Sequence, residues 1–220
     1  MSDRRIRAVL FDLDGVLLDS EPVHFHAWQA AAAQAGLDPA ALDPDELVGV
    51  PDALFGERLA RKAACRRTKN ELMAAKNDAF GKLFTDNPPI FEGLVAEIEK
   101  LRGKGIPMAV VTSSDRHFAE LMLETAGLRH FIEVLVAVED VVHPKPDPEP
   151  YLMAARQLGV PPDECAVIED SVSGVNAAVA AGCLTLAVTR AVIASRLPGA
   201  SRYFPTTIEA IRFILKVADI

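Results

Sequence analysis

The chain contains short runs of apolar, often β-branched residues that alternate with stretches of helical periodicity. The apolar runs are nearly continuous, which is typical of strands that are covered on both faces. The predicted strands span Ile6–Phe11, Met108–Thr112, Val134–Val138, Ala166–Ile168 and Thr185–Val188. The predicted helices between them span Glu92–Arg102, Arg116–Ala126, Pro148–Leu158 and Val172–Ala180. This alternation indicates an α/β fold with a doubly wound parallel sheet, that is, a Rossmann-like core.

The segment between the first two predicted strands has a different pattern, because its apolar residues follow helical spacing throughout. The predicted helical stretches are Pro22–Ala35, roughly Pro44–Leu47, Ala53–Ala64 and Thr68–Phe84. The segment ends at "DNPPIFEG", where two consecutive prolines mark the return to the core. We therefore expect an α-helical cap domain over residues 20–88, inserted into a core domain formed by residues 1–19 and 89–220.

Composition and charge narrow the classes of partner. The 220 residues carry a formal net charge of −8, which does not suggest a basic surface for nucleic acid. The three cysteines are widely spaced and form no CxxC motif, which favours a reducing compartment. The apolar run after the basic start is too short for a signal peptide, and no stretch reaches the roughly 18 residues that span a membrane. We expect a cytoplasmic protein without a membrane partner, and nothing in the sequence demands more than a monomer.

Polar residues follow the predicted strands at the points where each strand ends. In parallel α/β sheets, ligands bind outside the carboxyl ends of the strands, so these residues are expected to converge. They are Asp12 and Asp14 after the first strand, Thr112, Ser113 and Ser114 after the second, Lys145 beyond the third, and Glu169 and Asp170 after the fourth.

The excess of carboxylates at this edge predicts a divalent cation. Asp12, Asp14, Glu169 and Asp170 carry four negative charges, which one lysine cannot offset in a partly buried site. Oxygen ligands favour Mg²⁺, which usually also takes an oxygen from a substrate phosphate. Together with Lys145 and nearby hydroxyl or N–H donors, the ion would form a phosphate site. One of the first two aspartates can attack phosphorus, and the other can exchange a proton with the leaving oxygen and then with water.

Four stretches, "FDLDGVLLDSEP", "VVTSSD", "HPKPDPEPY" and "VIEDSVSGVNAA", resemble the ordered motifs of the haloacid dehalogenase superfamily. The resemblance covers nearly the whole chain. It implies that Asp12 is the nucleophile and Asp14 the general acid/base. It also implies that Thr112, the Ser113 backbone and Lys145 hold the phosphoryl group, and that Asp170 with Glu169 completes the Mg²⁺ site. The predicted cap is similar to the type that closes over small substrates in this superfamily.

Within the superfamily, "EPVHFHAW" and "AAKNDAF" resemble the β-phosphoglucomutase-like branch, which also includes enzymes similar to phosphoglycolate phosphatase. The resemblance implies that His24 lies near the acid/base and that the cap residue Lys76 contacts substrate. One departure concerns the stretch "GVPDALF", where Asp52 stands at the position of an arginine that grips the far phosphate in the mutase. A carboxylate there would repel a second phosphate, which favours hydrolysis over phosphoryl transfer within a sugar.

The favoured hypothesis is therefore a phosphatase that hydrolyses a small phosphate monoester, such as a sugar phosphate, with Mg²⁺ and an aspartyl-phosphate intermediate. The principal alternative is a β-phosphoglucomutase-type mutase. A carbon–halogen hydrolase is disfavoured by Asp14 and Asp170, and a phospho-accepting signalling domain by the chain length and the cap. Each site residue also has a structural interpretation: Glu169 and Asp170 could cap a helix, while Lys145, His24 and Lys76 could be ordinary solvated side chains.

Overall fold

The computed structural model of the protein describes residues 5–47, 50, 52–62, 64–189 and 197–218. The chain forms two compact units. The α/β unit comprises Met1–Leu18 and Ile90–Ile220, and the helical unit comprises Asp19–Pro89. Gly49 and Pro51 of the "GVPDALF" stretch, and Ala63 of a predicted helix, lie outside the described residues.

The described chain contains β-strands, α-helices and short 3₁₀ turns. The strands are β1 (Ala8–Phe11), β2 (Met108–Val111), β3 (Val134–Val136), β4 (Cys165–Glu169), β5 (Leu184–Val188) and β6 (Arg202–Phe204). The helices are α1 (Glu21–Gln34), α2 (Asp52–Ala60), α3 (Lys69–Asp86), α4 (Leu94–Gly103), α5 (Arg116–Thr125), α6 (Glu149–Leu158), α7 (Val172–Ala180) and α8 (Thr207–Val217). The 3₁₀ turns are Pro39–Ala41, Pro44–Glu46, Arg129–Phe131, Val138–Asp140 and Pro162–Glu164.

The sheet of the α/β unit has six parallel strands in the order β3-β2-β1-β4-β5-β6. Strand β1 is central, so that Val9 is aligned with Met108 of β2 on one side and with Ala166 of β4 on the other. Strands β2 and β3 follow one another on one side of β1, and β4, β5 and β6 follow one another on its other side. This is the doubly wound topology, and it confirms the predicted fold class.

The faces of the sheet are covered by helices, which explains why the strands read as continuous apolar runs. On one face, Tyr151 of α6 and Ala178 of α7 belong to a buried cluster with Leu10 and Val167 of the central strands. Helices α4 and α8 pack on each other, and α8 contacts β4 and β5. No α-helix among the described residues is both long enough and apolar enough to cross a membrane.

The helical unit has its own core, formed by side chains of α1, α2 and α3. Trp28 of α1 is completely buried and meets Phe55 of α2 edge to face, with ring centroids 5.1 Å apart. Helix α3 begins with a capping box in which the Thr68 hydroxyl accepts from the Glu71 N–H and the Glu71 carboxylate accepts from the Thr68 N–H. The unit therefore buries an apolar core independently of the sheet.

The sequence prediction and the structure differ near the C-terminus and at the end of α2, which stops at Ala60 instead of the predicted Ala64. The five predicted strands are observed with ends shifted by one or two residues, and the helical stretch at Pro44 is a 3₁₀ turn. Strand β6 and helix α8 were not predicted. Strand β6 is only three residues long and two of them are exposed, so it has no apolar run. Helix α8 does carry a recognisable signal, because Thr206 caps it by accepting from the Glu209 N–H.

Candidate active site

The central position of β1 brings residues from distant parts of the sequence to one edge of the sheet. Asp12 follows β1 directly, and its backbone N–H donates to the carbonyl of Ile168 on β4. Thr112 follows β2, and its N–H donates to the carbonyl of Val136 on β3. Glu169 is the last residue of β4. The sheet therefore places these side chains together at the carboxyl ends of neighbouring strands, as predicted.

Lys145 lies at the centre of this edge and is almost completely buried. Its ammonium group donates to Asp12 Oδ1 at 2.6 Å, to Glu169 Oε1 at 2.7 Å and to the Val111 carbonyl at 2.9 Å. An ammonium group has three protons, so these bonds use all of them. Burial opposes the charged form, but Asp12 and Glu169 raise the pKa of Lys145 above its usual value. Lys145 is therefore a fixed cation rather than a solvated surface charge.

Glu169 is fully buried, and both of its carboxylate oxygens accept several hydrogen bonds. Oε1 accepts from Lys145 and from the Tyr151 hydroxyl, at 2.7 and 2.8 Å. Oε2 accepts from the N–H groups of Asp170 and Ser171 and from the Ser171 hydroxyl, at 2.9, 3.0 and 3.0 Å. Because an ionised carboxylate has about four acceptor positions, Glu169 is saturated by the protein itself. Its arrangement suits a residue that anchors Lys145 and the start of α7.

Two glycines allow the acidic side chains to approach the backbone closely. A Cβ at Gly15, where φ is +78°, would lie 2.0 Å from Asp170 Oδ2. A Cβ at Gly174, in the first turn of α7, would lie 1.6 Å from Glu169 Oε1. Any larger residue at either position would displace a carboxylate, so both glycines are required by the site rather than by chain flexibility alone.

Burial and mutual repulsion oppose the ionisation of several carboxylates at this edge of the sheet. Burial raises the pKa of Asp12 to about 8; Lys145 opposes this rise, while Glu169 and Asp14 add to it. Burial also raises the pKa of Asp170 well above its usual value, and Glu169 and Asp12 add to the effect. For Glu169, Lys145 and the hydrogen-bond donors outweigh burial and lower the pKa. If all of these carboxylates are ionised, their negative charge exceeds the positive charge of Lys145.

A divalent cation fits this imbalance. Carboxylate oxygens of Asp12, Glu169 and Asp170 lie within 4.8 Å of one another, so one ion could reach all three. The donors are hard oxygens, which Mg²⁺ prefers, and the ion would lower the raised pKa values by supplying the missing positive charge. Because the oxygens of Glu169 are already occupied, Asp12 and Asp170 are the better candidates for direct contact.

Thr112, Ser113 and Ser114 follow β2 directly and lie beside Asp14. The Asp14 carboxylate accepts a hydrogen bond at Oδ2 from the Ser114 hydroxyl, at 3.0 Å. The Thr112 side chain is buried, and its hydroxyl accepts from the Ser114 N–H, also at 3.0 Å. Ser113 is exposed between them. The structure thus places Asp14, which follows β1, beside the residues that follow β2, and Ser114 joins the two segments.

The helical unit carries a second polar cluster, formed around Asp52 at the start of α2. Lys76 of α3 is buried and donates to Asp52 Oδ2, and the Trp28 ring N–H donates to Asp52 Oδ1 at 2.9 Å. The ring of His24 stacks on Phe80 with centroids 4.4 Å apart, and His24 Nδ1 lies 4.0 Å from Asp52 Oδ2. Burial opposes ionisation of Asp52, but Lys76 outweighs it, so the pKa of Asp52 is lowered. The charges of Lys76 and Asp52 are therefore paired with each other.

The comparisons with known proteins agree with this arrangement of motifs. A family model described as haloacid dehalogenase-like hydrolase matches residues 6–182, which is most of the chain. The chain belongs to this family. The resemblance drawn from the four sequence motifs is thereby confirmed, and a haloacid dehalogenase-like fold accounts for the acidic edge at the ends of β1 and β4.

The relatives of this haloacid dehalogenase-like hydrolase include named phosphatases. It is 33% identical over 178 residues to the fructose-1-phosphate phosphatase YqaB of Escherichia coli K12, covering 81% of this chain and 94% of the relative. It is 34% identical over 181 residues to a phosphorylated carbohydrates phosphatase of Thermotoga maritima, covering 80% and 82%. A Thermotoga maritima crystal structure described as a beta-phosphoglucomutase superimposes with a TM-score of 0.83 at 28% identity, covering 96% and 100%. The expectation of a phosphatase agrees with both named relatives.

Several contacts of this hydrolase were not foreseen from the sequence. They are the bond from Tyr151 to Glu169, the bond from Ser114 to Asp14, and the enclosure of Asp52 by Lys76 and Trp28. Tyr151 lies within the quoted "HPKPDPEPY" stretch, but nothing in that stretch shows where its hydroxyl points. The position of Asp52 was singled out as unusual, whereas its pairing with Lys76 depends on how α2 and α3 pack.

Proposed function

We propose that this chain is a Mg²⁺-dependent phosphatase that hydrolyses a small phosphate monoester through an aspartyl-phosphate on Asp12. The observation that carries the proposal is the buried position of Asp12 at the end of β1, with Oδ1 bound to Lys145. An adjacent cation orients a carboxylate and offsets the negative charge of an approaching phosphoryl group. The relatives named as sugar-phosphate phosphatases favour a phosphorylated sugar or a similar metabolite as substrate.

The proposed reaction has two balanced steps. An oxygen of ionised Asp12 attacks phosphorus, the bond from phosphorus to the ester oxygen breaks, and Asp14 gives its proton to the departing oxygen. Asp14 then takes a proton from water as the water oxygen attacks phosphorus, and the bond from phosphorus to Asp12 breaks to release phosphate. Lys145, Thr112 and the Ser113 backbone are the proposed contacts of the phosphoryl oxygens.

The proposed Mg²⁺ would be held by Asp12 and Asp170, and Asp14 remains a predicted further contact. When bound, the ion supplies positive charge that polarises the phosphoryl group and keeps Asp12 ionised. We assign Glu169 to anchoring Lys145 and the Asp170 backbone, because its two oxygens already accept five hydrogen bonds. The sequence predicts Glu169 as a metal ligand, and one of its oxygens lies within 4.8 Å of those of Asp12 and Asp170. We propose the supporting role instead, because its oxygens are already occupied.

The helical unit is proposed to act as the cap and to contribute to substrate choice through His24 and Lys76. Lys76 is neutralised by Asp52, so the pair offers no net positive charge to a second phosphate. A mutase that handles a bisphosphate intermediate would need such a charge. The pair therefore favours hydrolysis of a monophosphate over the mutase alternative.

The proposal is tested by a screen of phosphate monoesters with Mg²⁺, in which released phosphate is measured for the wild type and for Asp12→Asn. The variant should lose activity by at least about 10³-fold, because an amide oxygen is a poor nucleophile. Asp163→Asn, a change of the same kind at an exposed aspartate, serves as the control and should retain full activity. Substantial turnover by Asp12→Asn would refute the nucleophile assignment.

A second assay separates the phosphatase from the mutase. Hexose 1-phosphate and 6-phosphate are supplied with a bisphosphate activator, and their interconversion is compared with phosphate release. We expect phosphate release to exceed interconversion. The opposite result would establish the mutase alternative.

A further inference from the structure

The hydrogen bond between Ser114 and Asp14 joins two residues that are 100 positions apart in the sequence. The Ser114 hydroxyl donates to Asp14 Oδ2 at 3.0 Å in a half-buried position. Both residues belong to the α/β unit, but Asp14 follows β1 while Ser114 follows β2. The bond therefore ties the residue proposed as the acid/base to the neighbouring strand.

Ser114 is itself held at both ends of its backbone. Its N–H donates to the Thr112 hydroxyl at 3.0 Å, and its carbonyl accepts from the Val138 N–H at 3.2 Å. With the main chain fixed in this way, the hydroxyl reaches Asp14 from a defined direction. The contact thus has the rigidity that a positioning role requires.

The Ser114 hydroxyl carries a single proton, and it donates this proton to Asp14 Oδ2. The bond holds the Asp14 carboxylate in one orientation beside the end of β2. We propose that Ser114 is a positioning residue that orients the Asp14 carboxylate for proton transfer to the leaving oxygen. The proposal rests on the function proposed above and adds the residue that orients this transfer.

The effect of Ser114 should depend on the leaving group of the substrate. As the bond from phosphorus to the ester oxygen breaks, its electron pair remains on that oxygen, and the proton from Asp14 neutralises it. An alkoxide of a sugar phosphate is a strong base and needs this proton. The p-nitrophenolate of p-nitrophenyl phosphate is a weak base and can leave without it. Misplacing Asp14 therefore slows formation of the aspartyl-phosphate from the first substrate but not from the second. Hydrolysis of the aspartyl-phosphate, in which Asp14 is the base, is common to both substrates. The selectivity is therefore expected in kcat/KM, which covers only the steps up to the aspartyl-phosphate.

The test compares Ser114→Ala with the wild type on fructose 1-phosphate and on p-nitrophenyl phosphate, both with saturating Mg²⁺. For fructose 1-phosphate we expect kcat/KM to fall about tenfold, as for the loss of one hydrogen bond. For p-nitrophenyl phosphate we expect less than about a twofold change in kcat/KM. Ser114→Thr restores a hydroxyl and should recover most of the activity on the sugar phosphate.

Controls distinguish this proposal from the function on which it rests. Ser201→Ala removes an exposed hydroxyl from the same unit and should leave both activities unchanged. Asp14→Asn should show the same leaving-group selectivity as Ser114→Ala but more strongly. If Asp14→Asn slows both substrates equally, the acid role of Asp14 fails. If Asp14→Asn is selective while Ser114→Ala slows both substrates equally or neither, the positioning role of Ser114 is overturned.

Folding of each variant is checked by circular dichroism and thermal unfolding before the kinetic comparison. If Ser114→Ala does not fold, Ser114→Cys takes its place, because a thiol of similar size is a weak hydrogen-bond donor. The same selective fall of kcat/KM on fructose 1-phosphate is then expected. An unselective result with Ser114→Cys would overturn the proposal equally.

Discussion

Lys145 of the α/β unit and Lys76 of the helical unit are buried to the same extent, since only 3% and 4% of their side chains are exposed. Their surroundings differ. Lys76 is paired with Asp52, whose other oxygen is bound by Trp28. Lys145 is paired with Asp12 and Glu169, and Asp170 lies in the same acidic group. Lys76 is thus paired with one carboxylate, whereas Lys145 is paired with two and lies near a third.

This difference is reflected in the pKa directions of the two aspartates. Burial opposes ionisation of both, but Lys76 outweighs it and lowers the pKa of Asp52. At the acidic edge, burial dominates and Glu169 and Asp14 add to it, so the pKa of Asp12 rises to about 8. A buried lysine is therefore not by itself a sign of function. The surplus of carboxylates around Lys145 distinguishes the acidic edge, and a further cation would balance it.

The largest contrast is expected from removing each lysine. Lys145→Met leaves two buried carboxylates without their cation, so we expect phosphatase activity to fall by about 10²–10³-fold and the free energy of unfolding to fall by about 3 kcal/mol. Lys76→Met should cost less stability, because Asp52 is partly exposed and retains the bond from Trp28. Phosphate release and urea unfolding of both variants provide the measurement. Equal losses of stability and activity in the two variants would remove the distinction drawn between these lysines.

The next contrast concerns the pH dependence of stability without metal. The pKa of Asp12 rises from 3.8 to about 8 in the folded protein, so the native state binds this proton more tightly than the unfolded state. The contribution of Asp12 to stability is therefore fully present below pH 3.8 and is lost as the pH rises towards 8. In EDTA, the free energy of unfolding should fall over this range, and Asp12→Asn should flatten the fall.

Adding Mg²⁺ supplies the control for that experiment. The ion should abolish the fall in the wild type, because it favours the ionised carboxylate, and should have little effect on Asp12→Asn. A wild-type stability curve that is the same with EDTA and with Mg²⁺ would contradict the assignment of the ion to this edge.

Much of the fold could be predicted because its strands are buried on both faces. Such strands appear as uninterrupted apolar runs, and all five of the predicted ones are observed. Strand β6 was not predicted because Arg202 and Tyr203 are exposed, so that the strand contains no apolar run. Helix α8 could have been recognised, since its cap and its apolar spacing are both present in the sequence.

The site was predictable to the extent that it follows from strand ends. The sheet order alone explains why Asp12, Thr112 and Glu169 come together. The direction of each side chain was not predictable, because it depends on contacts between residues remote in sequence. Ser114 reaches Asp14, and Tyr151 reaches Glu169, only through the packing of complete elements. The five hydrogen bonds that Glu169 accepts could likewise not be foreseen from its position in the motif.

A smaller effect, of opposite sign, is expected at Asp52. The lowered pKa of this group means that its contribution to stability is present above the unfolded value of 3.8 and is lost as the pH falls through the folded value. Asp52→Asn should therefore destabilise the protein at neutral pH and match the wild type in strong acid, where Asp52 is protonated in both states. Urea unfolding at several pH values provides the test. A penalty that persists unchanged at low pH would show that the charge of Asp52 is not responsible.

The smallest effect is expected at an exposed pair of the same kind. Asp78 and Lys82 of α3 form an ion pair at 2.7 Å, but their side chains are 64% and 73% exposed. Solvent and salt screen such a pair, so Asp78→Asn should change the free energy of unfolding by less than about 0.5 kcal/mol. Because it removes an aspartate paired with a lysine on α3, this variant is the matched control for Asp52→Asn. If the two variants lower the free energy of unfolding equally at neutral pH, burial of Lys76 adds nothing to the strength of its ion pair with Asp52. The contrast between the two polar clusters would then depend on Lys145 alone.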